Sequence, residues 1–158
     1  MDRRGISPVI ATVIIVAVTI AVSIAVAYWM GGLASFFTRF EKIEIGSAYA
    51  SLNGTSGFVI KLSSIKNTGS ADATITSVLV NGKLTSDYTS PTITVKYKDS
   101  GSETDFPATG IPLTSGSSIS YITLTVASGT APFTSGTTLS VTLHTASGKD
   151  YPVNVALP

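Results

Sequence analysis

The chain has no cysteine, a single histidine and few charged residues, and these shortages narrow its possible functions. Without cysteine, neither a disulfide framework nor a thiolate metal site can form. One histidine without a G-x-S-x-G motif disfavours a serine hydrolase, whose nucleophile needs an adjacent base and acid. The formal net charge is +1 and only 12% of the residues are charged, whereas a nucleic-acid partner would call for a clustered basic face. We therefore expect no enzyme, no cofactor and no nucleic-acid partner.

Two small groups of residues are the remaining candidates for chemistry. His144 lies in TLSVTLHT and alternates away from Leu143, so it is predicted to be an exposed strand residue. A zinc site would need further histidine or cysteine ligands, and the chain has none. Asp99, Glu103 and Asp105 flank a glycine in KDSGSETDF, but their spacing differs from that of an EF-hand. A solvated loop is the favoured interpretation, with a calcium loop as the alternative.

Charge is missing altogether between Arg4 and Arg39, in a segment rich in Ile, Val and Ala. Ser7 suits the cap of a helix and Pro8 suits its first turn. The apolar run from Val9 onwards exceeds the roughly 20 residues that cross a bilayer core. A long hydrophobic helix is therefore predicted over residues 6–45, as a segment for membrane insertion and assembly.

The flanks of this helix predict its orientation. Arg3 and Arg4 precede the apolar run, while the charges that follow it balance, so the positive-inside tendency places the N-terminus in the cytoplasm and the rest of the chain outside. Tyr28 and Trp29 suit the far membrane interface. Three alternatives are a cleaved signal peptide, whose apolar region is shorter, a plain membrane anchor, and a buried core helix, which would need partners all round.

Small residues recur at every fourth position of the helix. They form two stripes, namely Ala17, Ala21 and Ala25, and Ser23, Ala27 and Gly31. Small-residue stripes let helices approach closely, so helix–helix packing is predicted at these six positions. The pair Gly31-Gly32 is a predicted soft point, where a bend or local melting is expected because glycine is a poor helix former.

The stretch RRGISPVIATVIIVAVTIAVS resembles the N-terminus of archaeal type IV pilins, adhesive filament subunits related to archaellins. The shared features are a short basic leader, a glycine, an Ile-Ser-Pro-Val cluster and a long apolar helix. The resemblance implies cleavage by a prepilin peptidase between Gly5 and Ile6, with Arg3 and Arg4 as recognition charges, and an assembly machinery in the membrane. Bacterial type IV pilins have a glutamate at the position of Ile10. Archaeal members usually lack this glutamate, so Ile10 agrees with the archaeal class.

After Gly46 the apolar residues alternate, which predicts strands rather than a helix. In SISYITLTV, Ile119, Leu124 and Val126 can share one face with either Tyr121 or Ile122. Asn-Gly at 81–82 predicts a two-residue hairpin turn. The fold class predicted is α+β, with a leader over residues 1–5, the helix over 6–45 and an extracellular, immunoglobulin-like β-sandwich over 46–158. The strand segments are FVIKLSSIKN, ATITSVLV, TITVKYK, SISYITLTV, TLSVTLHT and DYPVNVAL.

These features favour a structural protein: the subunit of an extracellular type IV pilus-like filament, inserted in the membrane before assembly. Its helices would form the filament core and its β domains the outer surface, with adhesion as the role. The alternatives are an archaellum subunit for motility and a single-pass, membrane-anchored binding domain. Asn53 begins the sequon Asn-Gly-Thr in a Gly/Ser loop and is the candidate N-glycosylation site.

Overall fold

The chain folds as two compact units, Met1–Arg39 and Phe40–Pro158. The computed structural model describes residues 6–54, 57–127 and 132–158. In the first unit a single helix, α1, runs from Ile6 to Thr38. The leader residues Arg3, Arg4 and Gly5 lie outside the described residues.

The helix ends at Thr38, whereas the sequence predicted it to continue to residue 45. From Phe40 onwards the chain belongs to the second unit, where its backbone has other partners. The amide of Phe40 donates to Ser70 Oγ at 3.0 Å, and its carbonyl accepts from the amide of Ala71 at 3.0 Å. Because these backbone groups already have partners, they are not available to another helical turn. The first strand accordingly begins at Ile43, before the predicted domain boundary at residue 46.

The glycine pair does not interrupt α1. The helix continues through Gly31 and Gly32 to Thr38, so the local melting predicted there is wrong. Each glycine lowers the stability of a helix by roughly 1 kcal/mol relative to alanine. Once a helix is nucleated, however, every further residue adds a backbone hydrogen bond. The helix formers on either side are therefore sufficient to carry it past the pair.

The second unit consists of short strands and one 3-10 turn. The strands are β1 (Ile43–Asn53), β2 (Gly57–Asn67), β3 (Ala73–Val80), β4 (Lys83–Leu84), β5 (Ile93–Lys98), β6 (Thr104–Asp105), β7 (Ile111–Leu113), β8 (Ser118–Val126), β9 (Thr138–Thr145) and β10 (Asp150–Ala156), with the 3-10 turn at Thr85–Asp87. All their pairings are antiparallel.

These strands form two sheets around one apolar core. The first sheet has the order β1-β2-β8-β5-β6, and the second has the order β10-β9-β3-β4, with β7 also paired to β3. The core takes side chains from both sheets, among them Ile60, Leu62 and Leu124 from the first and Val80 and Leu143 from the second. The predicted α+β class, an apolar helix followed by a β-rich unit, is confirmed.

Strand β8 changes the face that it turns to the core part-way along its length. Ile119 and Ile122 are both buried, although they are three positions apart, and Tyr121 is half-buried. Of the two alternatives that the sequence left open, Ile122 is therefore the core residue. The neighbouring strand β2 is irregular at the same level, between the pairs Ser63–Tyr121 and Ile65–Ile119.

The irregularity is centred on Gly46 of β1 and Ser64 of β2, which lie opposite each other. Ser64 has a φ of 55°, a left-handed conformation that is uncommon for residues other than glycine. A Cβ atom on Gly46 would lie 2.8 Å from the Cβ of Ser64, so the close approach requires glycine. In β2 the next buried side chain after Leu62 is Ile65, three positions further along. Strand β8 shows the same three-position step between buried residues.

The turn between β3 and β4 is the hairpin that the Asn-Gly pair predicted. Asn81 and Gly82 have φ values of 52° and 78°, and the flanking residues Val80 and Lys83 are paired. Positive φ at both central residues is the type I′ geometry that matches the twist of the strands. Asn81 Oδ1 also accepts from the amide of Ser140 at 2.9 Å, which ties the turn to β9.

Asn67, at the end of β2, is fully buried and organises the turn that follows. Its side-chain amide donates to the carbonyls of Ala71 at 2.8 Å and Leu113 at 3.0 Å. Its Oδ1 accepts from the amide of Gly69 at 2.9 Å. One buried side chain therefore satisfies three backbone groups from two segments, as buried polar groups require.

Replacing Asn67 with alanine is expected to destabilise the second unit by roughly 2–4 kcal/mol, because it leaves buried backbone groups without partners. The measurement is urea unfolding of the detergent-solubilised chain, followed by the circular dichroism of the strands. Asn154→Ala is the matched control, since Asn154 is exposed on β10 and should change stability by less than about 0.5 kcal/mol. Equal midpoints for the two variants would contradict the role of Asn67.

The residues just before β1 are held by the hairpin of β9 and β10. The Glu41 carbonyl accepts from Lys149 Nζ at 3.1 Å and from the Tyr151 hydroxyl at 3.3 Å. The Glu41 carboxylate accepts from the hydroxyls of Ser147 and Tyr151. Burial, reinforced by the charge of Glu41, raises the pKa of Tyr151. The phenol therefore stays protonated and can donate to Glu41.

Candidate assembly surface

The surface of α1 is apolar on every side and exposed. Its large hydrophobic side chains keep between 41% of their surface exposed, at Leu33, and 88%, at Tyr28. The segment Pro8–Thr38 is long and apolar enough to cross a membrane. Exposed apolar surface on this scale marks a surface that contacts lipid or protein.

The few hydroxyl groups in the apolar part of α1 have partners within the helix. Thr12 Oγ1 donates to the carbonyl of Val9 at 2.8 Å, and Thr19 Oγ1 donates to the carbonyl of Ile15 at 2.6 Å. Ser23 Oγ donates to the carbonyl of Thr19 at 2.7 Å. These bonds remove the cost of placing a hydroxyl in apolar surroundings. These hydroxyl groups therefore need no further polar partners when the helix is in lipid or in a packed core.

The structure places both small-residue stripes on the exposed surface of α1. Their members are Ala17, Ala21 and Ala25, and Ser23, Ala27 and Gly31, all of them exposed. At about 100° per residue, the stripe centres Ala21 and Ala27 lie about 120° apart around the helix axis. The helix thus presents two separate faces on which another helix could approach closely.

Aromatic side chains are concentrated in the C-terminal part of α1. Tyr28, Trp29, Phe36 and Phe37 are each at least 65% exposed. Aromatic rings with a polar group favour the interface between lipid and water, as Tyr28 and Trp29 were predicted to do. The position of these rings is compatible with a membrane boundary near this end of the helix.

The other predicted sites are the processing site at Ile6 and the sequon at Asn53. Ile6 is the first helical residue, next to the undescribed leader. Asn53 is exposed at the end of β1, where it pairs with Gly57, and Thr55 of its sequon lies outside the described residues. The candidate glycosylation site therefore lies at the hairpin of β1 and β2, remote in sequence from the helix.

His144 and the acidic residues of KDSGSETDF are surface groups. His144 Nδ1 lies 2.6 Å from Asp150 Oδ1 on the neighbouring strand. Asp105 Oδ1 lies 3.9 Å from Lys96 Nζ, and its side chain is 84% exposed. Within the described ranges, no three His, Asp or Glu side chains are grouped as a metal ion would require.

Sequence reasoning missed a cluster on the outer face of the first sheet. Strand pairing brings Lys61 of β2 together with Lys96 and Lys98 of β5, on either side of β8. The alternation of lysines in VKYK indicated that the β5 pair shares a face. Nothing in the sequence indicated that Lys61 lies beside that pair, because the order of the strands is not encoded locally.

The chain matches no known family model, and no curated protein is significantly similar to it. Solved structures to which the chain is similar include the apo PCuAC domain of PmoF2, at 15% identity and a TM-score of 0.46. That match covers 75% of this chain and 94% of the PmoF2 domain.

Two other similar structures are an archaeal flagellum and an archaellum stator protein. The archaeal flagellum of Methanospirillum hungatei strain JF1 matches at 11% identity and a TM-score of 0.39, over 99% of this chain and 94% of that one. The archaellum periplasmic stator protein FlaG from Sulfolobus acidocaldarius matches at 14% identity and a TM-score of 0.37, over 73% of this chain and 99% of that one.

Proposed function

We propose that the chain is a structural, non-catalytic subunit of an extracellular filament of the archaeal type IV pilin class, with adhesion as its role. The observation that carries the proposal is α1, a 33-residue helix whose apolar surface is exposed on every side. The helices of many copies would form the core of the filament. The β units, with their hydroxyl-rich strands, would form its outer surface.

The helix has to suit two surroundings in turn. Before assembly, lipid covers its apolar surface, and its hydroxyls are already bonded to its own backbone. In the filament, helices of other copies replace the lipid. This exchange costs little because lipid tails and aliphatic side chains are similarly apolar, and close packing adds dispersion energy.

The two small-residue faces favour a polymer over a simple anchor. A lone membrane anchor needs no close helix contact, and a dimer needs one face. Faces centred on Ala21 and Ala27, about 120° apart, allow one helix to pack against two neighbours at once. Repetition of such contacts generates an open, helical assembly.

The N-terminal segment fits the same role. The positive-inside tendency keeps Arg3 and Arg4 on the cytoplasmic side of the membrane. The β unit, at the other end of the helix, then lies outside the cell. The resemblance of RRGISPVIAT to archaeal pilins supplies the processing step, a prepilin peptidase that cuts before Ile6, and the assembly machinery. The same stretch favours an adhesive pilus over an archaellum.

Sedimentation after detergent extraction tests the proposal. Material sheared from native cells is treated with a mild detergent, centrifuged and examined by negative stain. We expect the chain in the pellet, as filaments of regular width. A chain that dissolves completely as a monomer would identify a membrane-anchored binding domain instead and would overturn the proposal.

A further inference from the structure

The outer face of the first sheet carries lysines, tyrosines and hydroxyls in two adjacent rows. Cross-strand pairing gives one row as Tyr49, Lys61, Thr123 and Lys96, and the next as Ser47, Ser63, Tyr121 and Lys98. These eight residues are called the lysine–tyrosine face. Their even spacing along each strand puts them on the side opposite the core.

The positive charge of this face is only partly compensated. Lys61 Nζ lies 3.8 Å from the centroid of the Tyr121 ring, which holds the ammonium near the middle of the face. Among the described residues, neither Lys61 nor Lys98 has a carboxylate within 4.0 Å. Lys96 has one at 3.9 Å, that of Asp105 at the far edge of the sheet. The centre of the face is therefore a local site of positive charge in a nearly neutral chain.

The apolar and polar groups around the lysines narrow the ligand class. The Tyr49 side chain is 50% exposed, so its ring offers a flat apolar surface beside Lys61. Serine and threonine hydroxyls in both rows can donate and accept hydrogen bonds. A nucleic acid would favour guanidinium groups and several free rings for base stacking. This face has no arginine, and the Tyr121 ring is covered by Lys61.

We propose that the lysine–tyrosine face binds an acidic polysaccharide, with lysines pairing its carboxylates and Tyr49 contacting the apolar face of a sugar ring. Such a ligand presents charge, hydroxyls and apolar C–H surface together, which are the three features that the face complements. The folded β unit carries this face by itself, so binding does not require filament assembly. It gives the adhesive role a class of target.

The test uses the full chain as a detergent-solubilised monomer, so its outcome is independent of assembly. Binding is measured to immobilised alginate, with neutral dextran and duplex DNA as comparisons. We expect binding to alginate and not to dextran, weakening as NaCl is raised, because salt screens exposed charges. The variant Lys61→Gln/Lys96→Gln/Lys98→Gln should bind about tenfold more weakly, since each exposed ion pair contributes at most several-fold.

The chain offers two matched controls. Lys83 lies 4.8 Å from the centroid of the Tyr88 ring and belongs to the second sheet, so Lys83→Gln makes the same change as Lys61→Gln elsewhere. Only Lys61→Gln should weaken binding. Asp105→Asn removes the carboxylate beside Lys96 and should strengthen binding about twofold.

Three results would overturn the proposal: unchanged alginate binding by the triple variant, an equal loss with Lys83→Gln, or tighter binding to DNA than to alginate. Circular dichroism of each variant shows whether the strands are retained. Because Asp105→Asn predicts a gain in affinity, misfolding cannot imitate that result.

Discussion

Replacing Ala21 with leucine should prevent filament assembly while leaving membrane insertion intact. Ala21 is the centre of one small-residue face and is exposed in the single chain. Leucine keeps the helix apolar, so lipid accepts it. In a close-packed helix core the added carbons displace a neighbour, at a typical cost of about 1–3 kcal/mol per site. Every copy bears this cost, so we expect membrane-bound subunit to accumulate and few filaments to be recovered by shearing.

Two control substitutions separate packing from other effects. Ala21→Ser keeps the side chain small, and its hydroxyl can bond to the preceding turn as Ser23 does. Val26→Leu adds an apolar carbon about 140° around the helix from Ala21, away from that face. Both should assemble normally. If Ala21→Leu gives filaments of normal width and yield, the packing role of Ala21 is wrong, although the pilin assignment could stand.

The sequence predicted the existence of α1 but not its end. Charge is absent from Arg4 to Arg39, and that absence is a property of the sequence alone. Two residues beyond the end at Thr38, the backbone of Phe40 pairs with Ser70 and Ala71. The sequence around Thr38 does not indicate these partners, because they lie in the turn that follows β2.

The β unit shows the same division between local and long-range information. The turn at Asn81-Gly82 was predicted correctly, because these two residue types themselves favour positive φ. The change of phase in β8 lies level with Ser64, which belongs to another strand, β2. Alternation therefore located β2, β3, β5, β8, β9 and β10, but it missed β1 and could not decide between Tyr121 and Ile122.

The candidate sites divide in the same way. The stripes on α1 could be predicted because helical spacing is regular, and close helix packing at these positions stays a prediction. The lysine–tyrosine face was not readable, because Lys61 meets Lys96 only through the order β2-β8-β5. A surface assembled from three strands becomes visible only when the pairing of the strands is known.

Replacing Gly5 with leucine should stop leader removal almost completely. The resemblance places the cut between Gly5 and Ile6, and a large side chain next to the scissile bond would not fit a peptidase that selects glycine. The retained charges of Arg3 and Arg4 would then have to enter or border the apolar filament core, where an unpaired charge is costly. We expect the uncut precursor to accumulate in the membrane and filaments to be lost.

N-terminal sequencing and intact mass of the chain, from filaments and from membranes, check this expectation. Parent filaments should begin at Ile6, and the Gly5→Leu protein in membranes should begin at Met1. Gly5→Ala is the matched control, since a single added methyl group should allow at least partial cutting. If parent filaments begin at Met1, no leader is removed, and the core has to accommodate Arg3 and Arg4 by pairing their charges or by leaving them in water at the end of each helix.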